Sequence, residues 1–416
     1  MNFKNTFVLT SIHTVIKVLA GIVMNKVVAV YLGPSGLALI GQFQNFSGIV
    51  TGLANGSIQT GIVKKTAESD VAENREKVWV NAFLLSMGFS LLTSLVVFIL
   101  AEYLAKLIMF DRSYLFVMQV FSFSIIFYSL NLYLLSILNG LGEIKFYSII
   151  NICISLISLL VVSVLTVLYQ LEGALLGLVL TQSFVFLLSY FFVYKKYNNL
   201  FFKIVRSVVD KKIINTLLKF GVASFSSGLI SAVMMILVRN VIINDTSLDD
   251  AGIWEAAIKI GIYFNLIFAL PISLHYLPKF SGVSDSANIK MYLKQAFSFA
   301  VPVMVVASLF LYLIAETVIL LLFAKEFLLL GEFLIFILLA EMVRVVAGTF
   351  STLLFAKQAL MKPVKNEFVR ALSFVGGAYV LVDEHGLYGV AVSYLMASFL
   401  YLIVTFLSSR QYLINA

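Results

Sequence analysis

Residues 13–44 read HTVIKVLAGIVMNKVVAVYLGPSGLALIGQFQ, and this stretch decides the fold class. It is apolar enough to cross a lipid bilayer, yet Lys17 and Lys26 lie inside it. A lysine at the centre of a bilayer costs about 2.5 to 3.5 kcal/mol on insertion scales, so the fold must shelter it or use it. The stretch therefore predicts a membrane-spanning segment whose buried charges have a purpose.

The composition extends this interpretation to the whole chain of 416 residues. Hydrophobic residues make up 61% of the chain and charged residues only 12%, whereas about a quarter of a soluble domain is charged. Apolar runs of about 20 residues, the length that a helix needs to cross a bilayer, recur from end to end. We expect an all-α polytopic membrane protein. Its net charge of +8 is spread over short loops, which indicates a lipid surface and no nucleic acid partner.

Twelve transmembrane helices are predicted from the apolar runs. Lysine and arginine concentrate in the loops on one side, which indicates cytoplasmic loops and places both termini in the cytoplasm. The predicted bounds are 7–31, 36–62, 79–101, 115–138, 147–169, 172–194, 219–243, 252–277, 293–315, 331–354, 367–383 and 387–408.

A basic segment divides these helices into two sets of six. The predicted domains are an N-terminal six-helix lobe at 1–200, a cytoplasmic linker at 201–218 and a C-terminal six-helix lobe at 219–416. Landmarks that recur 213 to 216 residues apart predict an internal duplication with a pseudo-twofold relation between the lobes. The landmark pairs are Lys26 with Arg239, Gly36 with Gly252, and Glu172-Gly173 with His385-Gly386.

Five basic residues within predicted helices are the candidate substrate-binding groups. A positively charged interior attracts anions, and phosphate or pyrophosphate is the membrane-relevant anion that most needs such help. Lys26 and Arg239 lie nearest the outer boundary of the membrane, and for these two an alternative explanation is that the side chain extends to water. The candidates are Lys17, Lys26, Arg239, Lys259 and Arg344.

Two glutamates accompany these cations at helical spacing. Glu341 precedes Arg344 by three residues and Glu255 precedes Lys259 by four, so each pair shares one face of a helix. A salt bridge that merely neutralises itself is one interpretation of each pair, and a charged wall of a central cavity is the other. The glutamates are also the candidates for coupling transport to protons or sodium.

A polar stripe is predicted along the second helix. Its members are spaced three or four residues apart, as one face of a helix requires. Such a stripe either lines a cavity or joins two helices by close packing, and both interpretations remain open here. The members are Gln44, Gly48, Thr51, Asn55 and Gln59.

No catalytic pattern accompanies these groups in the sequence. It contains no nucleophile–base pair, metal-ligand cluster or phosphate-binding glycine loop, and the predicted loops are too short for a catalytic domain. We therefore expect neither an enzyme nor a cofactor. An integral-membrane glycan polymerase or ligase would need a sizeable outward loop, and a scaffold would not explain Arg344 at mid-membrane.

Several short motifs resemble one transporter family. KVLAG at 17–21 and KVVAVYLGPSGL at 26–37 resemble the opening of the O-antigen translocases and related lipid-linked oligosaccharide flippases. These belong to the multidrug/oligosaccharidyl-lipid/polysaccharide exporter superfamily. GIW at 252–254, YLP at 276–278 and FAK at 355–357 are similar to the same group, which includes the enterobacterial common antigen flippase.

The resemblance implies a two-lobed transporter in the bacterial inner membrane. Its substrate would be an undecaprenyl-pyrophosphate-linked oligosaccharide, moved from the cytoplasmic to the periplasmic leaflet by alternating access. The basic residues of the group match Lys17, Lys26, Arg239 and Arg344, and O-antigen polymerase and chain-length machinery are the partners it suggests. A multidrug exporter of organic cations is the alternative within the superfamily, and it would need an unpaired acid in its cavity.

Overall fold

The computed structural model describes residues 3–68, 72–196, 209–283 and 285–414. Within these ranges the chain is almost entirely α-helical and contains no strand. Nine helices there are long and apolar enough to cross a membrane. The protein is therefore a multi-pass, all-α membrane protein, as its composition predicts.

The first half of the chain forms six helices and a short 3₁₀ turn at Arg112–Tyr114. Helices α1, α3, α5 and α6 are the candidate membrane spans among them. The six are α1 (Phe3–Ala54), α2 (Gln59–Glu68), α3 (Ala72–Ile99), α4 (Ala101–Met109), α5 (Leu115–Gly140) and α6 (Ile144–Lys196).

The second half forms seven helices and a 3₁₀ turn at Lys325–Phe327. Helices α7, α8, α9, α11 and α12 are the candidate membrane spans. The seven are α7 (Lys211–Asp245), α8 (Leu248–Gly282), α9 (Ser286–Leu313), α10 (Ala315–Leu322), α11 (Leu330–Ala356), α12 (Met361–Ser409) and α13 (Gln411–Ile414).

Helix α1 is interrupted at Gly33, inside the turn that the sequence predicts between 31 and 36. Gly33 has φ 64° and ψ −167°, a conformation that residues with a side chain rarely adopt. Pro34 follows it and cannot donate a backbone hydrogen bond to the preceding turn. The Gly-Pro pair therefore ends one helical segment and begins the next.

Helix α6 reverses direction at Tyr169 and Gln170, where the backbone leaves the helical conformation. A Cβ added at Gly177 would lie 2.8 Å from the Cα of Val162. Fifteen residues of straight helix would instead hold these positions about 22 Å apart. The helix is therefore a hairpin of two antiparallel segments.

Helix α12 is a second hairpin of the same kind, reversing at Gly386. A Cβ added at Gly377 would lie 3.1 Å from the Cβ of Ser393, sixteen residues away in the chain. The backbone angles at the two reversals are nearly identical: φ 53° and ψ −137° at Gln170, φ 53° and ψ −138° at Gly386. Both hairpins therefore use the same reversal.

The two hairpins correct one of the predicted landmarks. Gln170 and Gly386 are 216 residues apart, and Gly173 contacts Leu165 as Gly389, also 216 residues on, contacts Leu381. Gly173 therefore corresponds to Gly389, and the predicted match of Gly173 with Gly386 is wrong by three residues. The predicted match paired one glycine with another, but the first reversal has Gln170 at the position where the second has Gly386.

A glutamine at this reversal strains the first hairpin, and replacing Gln170 with glycine is expected to stabilise the protein. A side chain at positive φ costs about 1 to 2 kcal/mol, partly offset by the greater freedom of glycine in the unfolded chain. We expect the free energy of unfolding to rise by about 1 kcal/mol in Gln170→Gly and to fall by about 1 to 2 kcal/mol in Gly386→Ala. Unfolding of both variants in detergent checks this, and equal stabilities would contradict the assigned backbone.

The chain forms two compact units whose bounds differ from the predicted lobes. The first unit comprises Met1–Leu32 and Gln42–Leu229, and the second comprises Gly33–Gly41 and Ile230–Ala416. Residues 33–41 are therefore part of the second unit. The predicted linker at 201–218 includes 201–208, outside the described residues, and its end already belongs to α7.

Each unit has its own packed centre. In the first, α5 packs against α3 and α6, and the buried Trp79 indole donates to Thr66 Oγ1 at 3.0 Å. The buried Ser189 hydroxyl on α6 donates to Asn131 Oδ1 on α5 at 2.6 Å. In the second unit, α11 packs along both α8 and α12. Of the charged groups that the sequence singles out, Glu255 and Lys259 lie on α8 and Glu341 and Arg344 lie on α11.

Candidate functional site

Glu255 on α8 gathers two of the predicted cations in the second unit. Its carboxylate accepts a hydrogen bond from the Arg239 guanidinium on α7, and Lys259 Nζ lies 3.5 Å from its other oxygen. Only 1% of Arg239, 8% of Glu255 and 9% of Lys259 is exposed. We name these three residues the Glu255 cluster. Arg239 is therefore buried inside the protein. The alternative explanation, that its side chain extends to water, is wrong.

The segment 33–41 packs against the start of α8 and holds Glu255 in place. Asp249 accepts hydrogen bonds from the Ser35 backbone N–H at 3.1 Å and from the Ser35 hydroxyl. A Cβ at Gly252 would lie 1.8 Å from the Pro34 carbonyl oxygen, so only glycine permits this approach. A Cβ at Gly41 would lie 2.5 to 2.8 Å from the Glu255 carboxylate. The segments around the predicted landmarks Gly36 and Gly252 therefore meet within one unit.

Glu341 on α11 is the centre of a second group. Arg344 Nη1 lies 2.6 Å from its Oε1, and Asn265 on α8 donates to its Oε2 at 2.8 Å. The Tyr394 hydroxyl on α12 donates to the same carboxylate and accepts from Arg344. We name these four residues the Glu341 cluster. It joins α8, α11 and α12 through one buried carboxylate.

The two members of the predicted Glu341–Arg344 pair differ in accessibility. The Glu341 side chain is 1% exposed, whereas the Arg344 side chain is 28% exposed. The carboxylate is therefore enclosed by its three partners, and the guanidinium retains an accessible edge. A guanidinium presents five N–H donors in a planar fork that suits phosphate oxygens. Arg344 combines a fixed position with access for an anion.

Aromatic rings support the Glu341 cluster from α8 and α12. The Trp254, Phe374 and Tyr394 rings are 5.1 to 5.9 Å apart, and Trp254 is 1% exposed. Trp254 is therefore a core residue, although tryptophan in a membrane protein is often found at the membrane surface. Its ring packs in the core beside Tyr394 and fixes that side chain under Arg344.

Arg370 is a further buried cation, near the start of the helix predicted at 367–383. It lies two turns into α12, is 1% exposed and pairs with Glu367. Its guanidinium lies 5.9 Å from the centre of the Tyr401 ring, and the Tyr401 hydroxyl is 3.1 Å from that of Ser351. The helix begins at Met361 and not at 367 as predicted, so Arg370 lies further from the helix end than the prediction placed it.

Both predicted lysines of α1 belong to the first unit. Lys17 is exposed and lines a cavity of about 190 Å³ with Ser155 and Ser158 of α6, and Lys26 is half-buried. The backbone is helical at Gly21, so the helix continues without a break between the two lysines. Their role in binding stays a prediction.

The predicted polar stripe ends earlier than expected. Helix α1 stops at Ala54, and Gly56 and Ser57 have positive φ. Asn55 terminates the helix because its amide donates to the Thr51 carbonyl at 2.6 Å and its Oδ1 accepts from the Ser57 N–H at 2.7 Å. Gln59 begins a separate helix. The prediction of one helix over 36–62 is therefore wrong. Of the stripe, Gln44, Gly48 and Thr51 line a cavity of the first unit.

The charged groups of this structure do not resemble a metal centre. In the described ranges, no three His, Cys, Asp or Glu side chains converge as a metal ion requires. Each buried glutamate faces a cation instead. The arrangement is suited to binding and releasing charged groups by exchange of ion-pair partners.

A comparison with protein families places the chain. The model of the family described as "Polysaccharide biosynthesis protein" matches residues 3–284. The chain belongs to this family. Two relatives named "Lipid III flippase", from Escherichia coli strain K12 and Shigella flexneri, are each 24% identical over 402 residues, which is 96% of either chain.

Several solved structures are similar in fold to this chain. An inward-facing multidrug resistance MATE family transporter of the MOP superfamily has a TM-score of 0.81 at 18% identity, covering 99% of this chain and 100% of that one. The lipid II flippase MurJ in an inward closed conformation has a TM-score of 0.75 at 18% identity, covering 97% and 87%. The chain shares their fold. These relatives are flippases and transporters, consistent with the prediction that the chain is no enzyme.

Proposed function

We propose that this chain is a flippase for undecaprenyl-pyrophosphate-linked oligosaccharides of the O-antigen type. It would move them from the cytoplasmic to the periplasmic leaflet of the bacterial inner membrane by alternating access. The family match and the two lipid III flippase relatives support a lipid-linked oligosaccharide as substrate. Partnership with O-antigen polymerase and chain-length machinery is part of this proposal.

The proposed topology has twelve membrane crossings. The interrupted helices α1, α6 and α12 would each contribute two crossings, and the other six candidate spans one each. The crossings would form two six-helix lobes with pseudo-twofold symmetry, at 1–200 and 219–416, with a basic linker between them. Both termini would be cytoplasmic, in keeping with the excess of lysine and arginine on that side.

The observation that carries the proposal is a set of cations kept inside a membrane protein. Burying an ion pair costs several kcal/mol per charge before the mutual attraction is counted, so apolar residues would stabilise the fold as well. A pyrophosphate needs such cations because its charge must cross the low-dielectric core. Its proposed ligands are Lys17, Lys26, Arg239, Lys259 and Arg344.

Among these cations, Arg344 is the strongest candidate for direct contact. It is the one that combines a buried partner with an accessible guanidinium edge in the second unit. Arg239 and Lys259 would bind only after the Glu255 cluster opens, since both already face that carboxylate. Release of Glu255 or Glu341 from its cation when substrate binds would make the two glutamates the coupling groups of transport.

Export of organic cations is the second candidate function. The similarity in fold to multidrug MATE transporters favours it. A cationic drug needs an available carboxylate, whereas Glu255 and Glu341 are each engaged by at least one basic side chain. The charge arrangement therefore supports an anionic substrate.

Transport in reconstituted vesicles tests the proposal against this alternative. The purified protein would be placed in vesicles containing a fluorescent undecaprenyl-pyrophosphate-linked oligosaccharide, and a membrane-impermeant quencher would report its movement between leaflets. Parallel vesicles would carry a cationic dye instead. We expect movement of the glycolipid above protein-free vesicles and no dye transport. Dye transport without glycolipid movement would establish the alternative and overturn the proposal.

A further inference from the structure

Buried charge is distributed unequally between the two units. Among the described residues, every charged side chain that is buried as a whole residue lies in the second unit: Arg239, Glu255, Lys259, Glu341 and Arg370. The buried polar side chains described in the first unit are all hydroxyls and amides. The fully buried polar residues described in the first unit are therefore neutral, and they suit a part of the substrate other than the pyrophosphate.

A cavity of about 280 Å³ lies in the first unit, between the second segment of α1 and helices α5 and α6. None of the residues that line it in the described structure is charged. Its polar groups come from two helices: Gln44, Ser47 and Thr51 of α1, and Ser124 and Tyr128 of α5. Phe43 and Phe121 close the lining with rings 5.4 Å apart in a T-shaped arrangement.

The hydroxyls in this cavity are oriented by the helix backbone. The Ser47 hydroxyl donates to the Gln44 carbonyl at 3.0 Å, and the Thr51 hydroxyl donates to the Ser47 carbonyl at 2.7 Å. Because each proton is committed to a carbonyl, the lone pairs that remain on these oxygens can accept hydrogen bonds. Thr51 already shares one such bond with the Tyr128 hydroxyl, and the others can accept from a ligand. Ser124 already accepts a hydrogen bond from Ser183 at 3.3 Å. The wall therefore presents several acceptors to a ligand rich in hydroxyl donors.

The lining discriminates between classes of ligand by its chemistry. A pyrophosphate would lack a cation in this cavity, and an organic cation would lack a carboxylate, so either charge would be buried unpaired. A sugar ring is neutral, carries many hydroxyls and has apolar C–H faces that pack on aromatic rings. The volume is just below the range of about 300 to 1,000 Å³ for small-molecule sites, which fits one sugar ring.

We propose that this cavity is a saccharide subsite that receives one neutral sugar of the transported glycan. The inference rests on the proposed flippase function and assigns a separate place to the sugar. The hydroxyls and the aromatic rings that α1 and α5 contribute to the cavity wall would set the preference for one glycan over another. The pyrophosphate contacts would lie with the cations, and the sugar contacts with the neutral polar groups.

Gly48 provides a direct test because it lines the cavity and faces open space. A Cβ added at Gly48 has no neighbour within 4 Å, so a larger side chain can enter the cavity without meeting the backbone. Gly88 on α3 of the same unit also has no neighbour within 4 Å and is not part of the lining. Gly48→Leu and Gly88→Leu are therefore a matched pair, since each replaces an unobstructed helical glycine by a good helix former.

The test compares two lipids in the vesicle assay: the undecaprenyl-pyrophosphate-linked oligosaccharide and undecaprenyl pyrophosphate without sugar. We expect Gly48→Leu to reduce transport of the glycosylated lipid by about tenfold or more, through loss of several ligand hydrogen bonds. Transport of the sugar-free lipid should remain, and Gly88→Leu should match the wild type with both lipids. Equal effects of Gly48→Leu on both lipids, or on neither, would overturn the subsite.

A second variant guards against misfolding of the first. Tyr128→Phe with Thr51→Val removes two lining hydroxyls at nearly constant shape, and it should weaken transport of the glycosylated lipid alone by severalfold. Wild-type vesicles separate the two hypotheses. If the wild type moves neither lipid, the flippase function fails. If it moves both and neither cavity variant discriminates between them, the subsite alone fails.

Discussion

Replacing Arg344 with alanine is expected to reduce flipping of a lipid-linked oligosaccharide by about thirtyfold or more. The change removes the accessible guanidinium and leaves the enclosed Glu341 carboxylate without its cation. Loss of one partner from a buried, hydrogen-bonded charge pair costs about 2 to 5 kcal/mol, and each 1.4 kcal/mol is about tenfold in affinity. Initial rates in the vesicle assay, over a range of substrate concentrations, measure the effect.

The Arg344 result needs variants that separate charge from shape. Arg344→Lys keeps the charge but loses the planar fork, so transport should be intermediate between alanine and wild type. Lys325→Ala removes an exposed cation from the 3₁₀ turn before α11 and should leave transport unchanged. Wild-type rates in Arg344→Ala, with the protein folded, would show that the Glu341 cluster is a structural salt bridge only.

Replacing Glu255 with glutamine is expected to produce the largest loss of stability. The change leaves the cationic groups of Arg239 and Lys259 buried beside a neutral amide. Removal of one partner from a buried ion pair costs about 3 to 5 kcal/mol because the remaining charge is uncompensated. Chemical or thermal unfolding in detergent should therefore show a lower free energy of unfolding for Glu255→Gln than for the wild type.

Two further variants make the Glu255 prediction specific. Glu102→Gln removes an exposed carboxylate that also faces two cations, Lys106 and Arg112, and it should change stability little because water screens such pairs. Combining Glu255→Gln with Arg239→Met should recover part of the lost stability, since the uncompensated guanidinium is then gone. Additive losses in the double variant would mean that the two residues do not stabilise each other.

Features that depend only on neighbouring residues could be predicted from the sequence. The Gly33-Pro34 pair predicts the break in α1. Glycine readily adopts the positive φ found there, and proline cannot donate the backbone hydrogen bond that a continuous helix needs. The spacing of Glu341 and Arg344 predicts their contact because residues three apart face each other on a helix. The apolar composition likewise suffices for the membrane-spanning class.

Features that depend on distant contacts could not be predicted. Asn265 and Tyr394 complete the Glu341 cluster from positions 76 and 53 residues away, and in an apolar helix each looks like an ordinary packing residue. The stripe continues in phase through Gln59, so periodicity gives no sign that Asn55 ends the helix. The burial of Arg370 could not be predicted either, because a position near the end of a predicted helix does not reveal how buried its side chain is.

The measurement that tests the central claim most directly is deletion of the gene in its host, with analysis of lipid-linked and surface glycans together. The proposed function predicts loss of one surface polysaccharide and accumulation of its undecaprenyl-pyrophosphate-linked unit on the cytoplasmic leaflet. Restoration by the wild type, but not by Arg344→Ala, would connect the defect to the Glu341 cluster. Unchanged surface glycans, in a host without a second flippase of this family, would contradict the account.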